Sequence, residues 1–347
     1  MQYPKFKVTV HCSTFNHAKF ITDAMNGFTM QQTDFPFVCT IIDDASTDGE
    51  QDVIKQYVEE HFDLSEDGVA YKKETDYAHI VYAQNKTNKN CYFAVLFLKE
   101  NHYSQKKDRI SYLKEWRENV DYIALCEGDD YWIDPLKLQK QVEILDENRN
   151  IGLVYTHAIA FNNKTKKECK VGAPCHNSNE LLLENTIPTL TVCLRQYLYR
   201  CYIDEIKPSS HNWLMGDYPM WLWFIFNSNI HFINDITAKY RILPESASHS
   251  SSFKKMTAFL RSTFQIREYF AQRYKSSLFP LFRFKILMWK YIEKLDKLSF
   301  RHRIIIVYKL FKKTSLKDCN LKTCCFLLLT IISKRFTKLI LSKYVFS

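Results

Sequence analysis

Short apolar runs that end in polar turns alternate with amphipathic stretches along the first part of the chain. Residues 7–12 and 37–42 are rich in β-branched and apolar side chains, and a polar turn follows each run. Residues 19–28 and 51–60 then place apolar side chains at helical spacing. A repeated order of strand, polar turn and helix is typical of a parallel sheet. The pattern therefore predicts an α/β fold with a mostly parallel central sheet.

A third apolar run, at residues 122–126, stops at three acids. Glu127, Asp129 and Asp130 occupy three of the next four positions. In open α/β sheets, ligands bind at the carboxyl ends of the strands. Carboxylates this close repel one another unless a cation lies among them, and dense oxygen ligands suit Mg²⁺ or Mn²⁺. The sequence therefore predicts a divalent metal site at this strand end.

The alternative interpretation of these acids is an acidic turn that precedes a helix. Asp134 and Pro135 form an ordinary pair of N-cap and first helical residue for a helix that starts at Leu136. This interpretation explains Asp134. It does not explain the acids further upstream, which leaves metal binding as the favoured hypothesis.

The sequence pattern predicts some of the remaining elements clearly and others poorly. Residues 64–118 mix charges and aromatics without a clean period, which predicts one or two short strands followed by helices. Further predictions are a helix at 136–147, a strand at 151–161, a strand at 187–195, an apolar helix at 218–227, a strand pair at 230–241 and a Ser-rich loop at 243–252. From residue 253 onward the pattern predicts helices.

The formal charge of +10 is unevenly distributed over the 347 residues. Residues 281–347 contain sixteen Lys and Arg against three acids, and within residues 281–313 the basic residues are interleaved with apolar ones at helical spacing. Basic amphipathic helices of this kind bind anionic membrane surfaces. The alternative is a helical bundle with a solvated basic face. A nucleic-acid partner is not expected, because no RNA- or DNA-binding motif accompanies the basic residues.

Cysteine usage and the N-terminal sequence bear on the compartment. The eleven cysteines form no CxxC pair, and several lie within apolar runs, so neither a disulfide framework nor a structural zinc site is expected. The first residues lack the basic start and apolar middle of a signal peptide. A membrane-spanning helix needs about 18 consecutive apolar residues, and no stretch of the sequence reaches that length. These features favour a cytoplasmic location, peripheral to the inner face of the plasma membrane.

Four segments in a fixed order give the chain a family resemblance. They are VTVHCSTFNHAKFI, CTIIDDASTDG, ALCEGDDYWIDPLKLQKQ and GDYPMWLWF, the last followed by YRILPESASHS. Together they resemble a family 2 glycosyltransferase with the GT-A fold, in which a mostly parallel sheet binds a nucleotide-diphospho-sugar. The resemblance spans about residues 8–250. It implies a catalytic domain at 1–252 and a separate helical, basic, amphipathic region at 253–347.

The resemblance implies that the first two turns bind the nucleotide. Thr14 and Phe15 would contact the base, Thr14 by a hydrogen bond and Phe15 by stacking, with Asn16 in the same turn. The alternative for Phe15 is a core aromatic. Asp44, with Asp43 as second choice, would accept a hydrogen bond from the base or the ribose.

The resemblance assigns the metal and the diphosphate to later segments. Asp130 would bind Mn²⁺ or Mg²⁺ directly, and Asp129 would reach the ribose, or the metal through water. Glu127 stands where the family usually has Asp, which leaves the ligand set open. His249 would be a late metal or diphosphate contact, with an exposed loop histidine as its alternative. Arg241 would pair either with the diphosphate or with a structural acid.

Asp217 is the implied general base, because an inverting transfer needs a carboxylate beside the acceptor hydroxyl. Its alternative is an N-cap. The implied function is transfer of a sugar from a nucleotide-diphospho-sugar to a glycan or lipid-linked acceptor in bacterial surface polysaccharide synthesis. One alternative is a nucleotidyltransferase, although the turn after the first strand lacks the glycines such enzymes use. Another is a noncatalytic scaffold that binds membrane or glycan.

Overall fold

The computed structural model describes residues 4–162, 165–243, 253–294 and 305. In these ranges the strands are β1 (Val8–Thr14), β2 (Phe37–Asp43), β3 (Phe62–Asp63), β4 (Tyr71–Glu74), β5 (Ala78–Asn85), β6 (Cys91–Leu98), β7 (Tyr122–Leu125), β8 (Tyr131–Trp132), β9 (Ile151–Phe161), β10 (Glu168–Val171), β11 (Cys193–Arg195) and β12 (Asn229–Arg241). The α-helices are α1 (Ile21–Thr29), α2 (Glu50–His61), α3 (Lys114–Arg117), α4 (Lys137–Glu147), α5 (Ser178–Leu183), α6 (Gln196–Ile206), α7 (Asp217–Asn227), α8 (Phe253–Arg273) and α9 (Phe279–Lys294). Short 3₁₀ helices lie at Ile110–Leu113, Thr189–Thr191 and Pro208–Ser210.

The strands form one sheet with the order β3-β5-β6-β2-β1-β7-β11-β9-β12-β8, to which β10 adds at β9 and β4 adds at β5. The four central strands β6, β2, β1 and β7 are parallel to one another. On either side, β5 and β11 pair antiparallel with this centre. The predicted α/β fold with a mostly parallel central sheet is confirmed for these central strands.

The central strands are buried because apolar layers cover both faces of the sheet. Successive strand residues point to opposite faces. On one face, Cys39 belongs to a cluster that includes Phe28 of α1 and Leu138 of α4. On the other, Val38 packs in a cluster with Trp116 of α3. This double coverage explains why every residue of β2 and β6 is buried, as parallel strands require.

Three predicted segments differ from the structure. Residues 187–195 contain a 3₁₀ turn and the three-residue strand β11 in place of one strand. Residues 230–241 lie in the single long strand β12, whose register against β9 shifts at bulges, and do not form a strand pair. The middle region holds the long strands β5 and β6, which the sequence pattern did not reveal.

The chain divides into two compact units. The first comprises Met1–Asn177, Asn185–Lys207 and Trp223–Leu243, and it contains the whole sheet. The second comprises Ser178–Glu184, Pro208–Leu222 and Pro244–Ser347. Most of the basic region predicted at 253–347 lies outside the described residues, and the boundary predicted after residue 252 stays a prediction. No helix in the described ranges is long and apolar enough to cross a membrane.

Candidate active site at the carboxyl ends of the central strands

The ends of β1, β2 and β7 lie side by side in the first unit. The parallel register pairs Thr14 with Asp43 at the last position of β1 and β2. The backbone N–H of Asp44 donates to the carbonyl of Thr14 at 3.0 Å. After β7, the N–H of Gly128 donates to the carbonyl of Ser13 at 3.1 Å. The polar turns that follow the three strands therefore meet at one edge of the sheet.

The three acids after β7 converge within this edge. Glu127, Asp129 and Asp130 each offer a carboxylate oxygen, and these oxygens lie within 4.8 Å of one another. Glu127 is exposed, Asp129 is half-buried and Asp130 is only 1% exposed. Burial raises the pKa of Asp130 well above its ordinary value, and the charges of Asp129 and Glu127 raise this pKa further.

Gly128 lets this acidic turn approach β1 closely. A Cβ atom at this position would lie 2.1 Å from Oγ1 and 2.5 Å from Cβ of Thr14. Any side chain would therefore have to displace either Thr14 or the acidic turn. The glycine between the acids is thus a packing requirement of the site.

Arg241, at the end of β12, fixes the acidic turn in place. Its backbone N–H donates to Oδ1 of Asp130 at 2.7 Å, and its Nη1 donates to the backbone carbonyl of Asp129 at 2.5 Å. Its Nη2 forms an ion pair with Asp23 of α1. The guanidinium also lies 4.6–5.5 Å from the ring centroids of Phe20, Tyr131 and Phe161. Arg241 thus pairs with an acid of the protein itself, and its predicted contact with the diphosphate stays a prediction.

The hydroxyl of Thr14 is engaged by an acid that the sequence reasoning missed. Thr14 is buried, and its Oγ1 donates to the carboxylate of Glu50, the first residue of α2. Glu50 also accepts the backbone N–H of His17 and the hydroxyl of Ser46, each at 2.8 Å. Burial raises the pKa of Glu50. Glu50 therefore connects the turns that follow β1 and β2, because it accepts hydrogen bonds from residues of both turns.

Phe15 and Asn16 lie on the surface of the first turn. Phe15 is 42% exposed, so its ring is accessible and not part of the core. Asn16 adopts a left-handed backbone conformation with a φ of 57°, which asparagine tolerates better than most residues. Its Oδ1 accepts the backbone N–H of Thr47 at 2.8 Å. Asn16 therefore ties the first turn to the second and leaves Phe15 at the rim.

Asp43 is buried at the end of β2. Its Oδ1 accepts hydrogen bonds from the backbone N–H of Ser46 at 3.1 Å and from Nε2 of Gln51 at 2.6 Å. Its Oδ2 is buried without a hydrogen-bond partner among the described residues. Burial raises the pKa of this carboxyl group. Asp43 thus presents one oxygen that a ligand donor could satisfy.

Asp44 holds the segment that follows β6. Its two carboxylate oxygens accept the backbone N–H groups of His102 at 2.8 Å and Tyr103 at 2.9 Å. Nη1 of Arg109 lies 3.3 Å from Oδ2, and the Arg109 guanidinium lies 5.4 Å from the centroid of the Tyr103 ring. Asp44 thus fixes residues 102–109 beside the ends of the central strands. Neither Arg109 nor Tyr103 was predicted as a site residue, because the middle region carries no readable motif.

Asp217 belongs to the second unit, where it begins α7. It is half-buried, and its Oδ1 accepts the backbone N–H of Tyr218 at 2.7 Å. A carboxylate at a helix N-terminus is stabilised as an anion by the exposed backbone N–H groups. His249 lies outside the described residues, so its predicted role stays a prediction.

The residues at the edge of the sheet fit a divalent cation. Three carboxylates from a four-residue turn supply the hard oxygen atoms that Mn²⁺ and Mg²⁺ prefer. Their mutual repulsion raises the pKa of Asp130, and a bound cation would remove that repulsion. In contrast, the nearby Asp134 already pairs with Lys140 at 2.9 Å.

No protein-family model matches the chain. Curated relatives include uncharacterized proteins of Mycobacterium bovis and Mycobacterium tuberculosis, each 33% identical to it over 135 residues. This match covers 39% of the chain and spans only 30% of the length of those relatives.

Similar solved structures include S. aureus TarS 1–349 in complex with UDP-GlcNAc, at 14% identity and a TM-score of 0.46. That alignment covers 88% of this chain and 85% of the other. Another is the mannosyltransferase PcManGT from Pyrobaculum calidifontis in complex with GDP-Man and Mn²⁺, at 12% identity and a TM-score of 0.43. That alignment covers 98% of this chain and 88% of the mannosyltransferase chain. At these identities and scores both are distant likenesses.

Proposed function

We propose that this protein is a metal-dependent, inverting glycosyltransferase that uses a nucleotide-diphospho-sugar donor. The observation that carries the proposal is the meeting of the acidic turn after β7 with the polar ends of β1 and β2 at one sheet edge. Such an edge offers a nucleotide site and a cation site side by side. The ordered motifs that resemble family 2 glycosyltransferases support the same proposal.

The donor would be held by groups with distinct tasks. Phe15 offers an exposed ring for stacking on the base, and Oδ2 of Asp43 offers an acceptor for an N–H or hydroxyl donor. Asp130 and Asp129 would hold Mn²⁺ or Mg²⁺. When bound, the ion neutralises negative charge on the leaving diphosphate. Arg241 acts as a positioning residue, because it donates to both Asp130 and Asp129.

The transfer step requires a base for the acceptor hydroxyl, and Asp217 is proposed for this role. Its carboxylate takes the hydroxyl proton as the acceptor oxygen bonds to the anomeric carbon. The bond from that carbon to the diphosphate oxygen breaks at the same time, and the nucleoside diphosphate leaves with the electron pair. Attack opposite the leaving group inverts the anomeric configuration.

The proposed acceptor is a glycan or lipid-linked glycan of bacterial surface polysaccharide synthesis. The family resemblance supports this class of acceptor. The excess of positive charge in residues 281–347 supports a location at the anionic inner face of the plasma membrane.

The proposal is tested by incubating the protein with Mn²⁺ and a panel of UDP- and GDP-sugars, and by measuring release of the nucleoside diphosphate. We expect the wild type to turn over one donor class and Asp130→Asn to lower that rate about 10³-fold, because charge stabilisation by a metal contributes several kcal/mol. Asp134→Asn is the matched control, since Asp134 is paired with Lys140 and should not bind the ion. Near-normal turnover by Asp130→Asn would refute the proposal.

A further inference from the structure

The second unit contains two cations that lie over one aromatic ring. Arg267 belongs to α8 and Lys285 to α9. The guanidinium carbon of Arg267 is 5.8 Å from the centroid of the Phe264 ring, and Nζ of Lys285 is 4.9 Å from the same centroid. The two charged groups are therefore no further apart than the sum of these two distances.

Neither cation has an acidic partner in the described part of the chain. No carboxylate oxygen of a described residue lies within 4.0 Å of the charged nitrogens of Arg267 or Lys285. Their neighbour Arg283 on α9 is different, because its Nη1 lies 2.6 Å from Oε1 of Glu268. These helices can therefore supply a carboxylate to a cation, as at Arg283, but among the described residues they supply none to Arg267 or Lys285.

Arg267 is held by neutral groups. Its Nε donates to the hydroxyl of Tyr218 at 3.0 Å, and its guanidinium lies 5.7 Å from the Tyr218 ring and 6.0 Å from the Phe282 ring. Tyr218 and Phe282 are buried. Aromatic faces attract a cation, but they do not neutralise its charge. The guanidinium is therefore fixed in orientation while its charge stays uncompensated.

The two charges oppose each other in partly dehydrated surroundings. Arg267 and Lys285 are both half-buried. Burial, followed by the charge of Arg267, lowers the pKa of Lys285. Repulsion between like charges is stronger there than in water because the effective dielectric constant is lower. An anion bound between them would turn this repulsion into attraction.

We propose that Arg267 and Lys285 form a subsite for a phosphate group carried by the acceptor substrate. Phosphate is the anion class that fits, because a phosphate monoester carries nearly two negative charges at neutral pH and can face both cations. The planar guanidinium also matches the geometry of phosphate oxygens.

The assignment to the acceptor rests on the proposed function and on Tyr218. This residue directly follows Asp217, the proposed base, and its hydroxyl receives the hydrogen bond from Arg267. The same hydroxyl donates to the carbonyl of Leu181 at 2.8 Å. One buried side chain therefore links Arg267 to the helix start that carries Asp217. A phosphate at this place would belong to the molecule whose hydroxyl Asp217 deprotonates.

Binding of inorganic phosphate to the full chain, measured by equilibrium dialysis without donor or metal, tests the subsite. We expect Arg267→Gln and Lys285→Gln each to weaken binding about tenfold or more, because each removes one charge-assisted contact. Arg283→Gln is the matched control on α9 and should bind as the wild type does. Equal binding by all four proteins, or an equal loss in Arg283→Gln, would overturn the proposal.

Thermal unfolding separates a binding role from a structural one. Lys285→Gln removes a repelled, half-buried charge, so its melting temperature should equal or exceed that of the wild type while its phosphate affinity falls. A lower melting temperature with unchanged phosphate affinity would show that Lys285 only packs on Phe264. Arg267→Lys keeps the charge and should retain more phosphate binding than Arg267→Gln.

Two further measurements, vesicle binding and donor hydrolysis, identify the source of the phosphate. Vesicles of phosphatidylcholine with phosphatidylglycerol test a lipid headgroup, and binding to them without binding of inorganic phosphate would overturn the acceptor assignment. Hydrolysis of the donor should be unchanged in Arg283→Gln, which lies outside the subsite. If phosphate binds through both cations but no nucleotide-sugar is turned over, the proposed function fails and the anion site stands. If the donor is hydrolysed and phosphate does not bind, only the subsite fails.

Discussion

The acidic turn of the first unit and the cation pair of the second both bring like charges close together, negative charges in the first case and positive charges in the second. Glu127, Asp129 and Asp130 gather negative charge at a strand end, and Arg267 and Lys285 gather positive charge over one ring. In both places burial makes the repulsion costly. Each arrangement would be stabilised by a ligand of the opposite charge, a metal ion in the first case and a phosphate in the second.

The two clusters differ in how rigidly they are held. A backbone N–H of Arg241 fixes the carboxylate of Asp130, and Gly128 allows the turn to lie directly against β1. The charged end of Lys285, by contrast, is at the end of a long side chain that lies over the Phe264 ring. The acidic turn therefore suits an ion with short, defined bonds. The cation pair, with one fixed guanidinium and one long lysine side chain, suits a larger anion.

The largest effect is expected at Asp217, which belongs to neither cluster. Asp217→Asn should lower the rate of sugar transfer about 10²- to 10⁴-fold, because it removes the base for the acceptor hydroxyl. Donor binding should be unchanged, since the proposed donor groups lie on β1, β2 and the acidic turn. Single-turnover transfer and calorimetric binding of the donor measure the two quantities separately.

Near-normal transfer by Asp217→Asn would argue against a role as base and for a role as N-cap of α7, because asparagine caps a helix as well as aspartate does. Glu at this position offers a second check. Asp217→Glu keeps the carboxylate and should recover part of the rate if proton transfer is the task. It should recover none if only the cap geometry matters.

A smaller effect is expected at Lys137, where an unpaired cation is completely enclosed. Lys137 is fully buried, donates to Gln141 at 2.8 Å and lies 4.2 Å from the centroid of the Trp132 ring. Burial lowers its pKa to about 8. Lys137 is enclosed and has no acidic partner among the described residues, so its charge is relieved only when the proton is lost above a pH of about 8. Lys137 therefore shows what an unpaired charge does when no binding site exists.

The sign of the resulting pH dependence follows from the lowered pKa. The unfolded chain holds the proton up to a pH of about 10.5. Lys137 therefore lowers the free energy of unfolding by its full amount below pH 8, and this destabilisation disappears as the pH rises from 8 toward 10.5. The free energy of unfolding of Lys137→Met, relative to the wild type, should therefore fall by about 2 kcal/mol between about pH 7.5 and about pH 9.5. Urea titrations of both proteins give this difference.

Lys140→Met is the control for that measurement, because Lys140 pairs with Asp134 and Asp235 and its pKa is raised. Its difference from the wild type should not shrink over the same interval. The cysteine thiols of the unfolded chain, which titrate in this range, are common to all three proteins and cancel. A pH-independent difference for Lys137→Met would show that the lysine stays charged in the folded state.

Much of the candidate site could be predicted from the sequence because the apolar runs that lead to it are sharply bounded. The run before Glu127 ends abruptly at the acids, and the run before Asp43 ends at a capping turn, so both strand ends were visible. The helix of residues 137–147 begins one residue after its predicted start. Its N-cap is Leu136 and not the predicted Asp134, whose Oδ1 accepts the N–H of Leu136 at 2.9 Å just before the helix. Local signals were sufficient wherever burial changed abruptly along the chain.

The strands β5 and β6 were missed because the charged and aromatic residues around them, between 64 and 118, obscure where their apolar runs begin and end. All eight residues of β6 are buried, so the strand has no alternation of polar and apolar positions. Its turn from β5 is built by the side chain of Asn85, whose Oδ1 accepts the N–H groups of Thr87 and Asn88. Such turns depend on tertiary packing as much as on residue type.

Parts of the site were also hidden in the sequence. Glu50 looks like an ordinary first residue of a helix, and only the fold brings its carboxylate to Thr14. Arg109 lies 65 positions from Asp44 along the chain, and no pattern links the two. The pairing of Arg241 with Asp23 spans 218 positions. Long-range ion pairs of this kind follow from topology and cannot be derived from local spacing.

The most direct measurement is a calorimetric titration of Mn²⁺ into the protein in the presence and absence of UDP or GDP. We expect Mn²⁺ to bind more tightly when the matching nucleotide is present, and we expect Asp130→Asn to abolish this coupling while Asp134→Asn preserves it. Equal Mn²⁺ affinity with and without either nucleotide, or an unaltered coupling in Asp130→Asn, would contradict the assignment of a nucleotide-diphospho-sugar site at the end of β7.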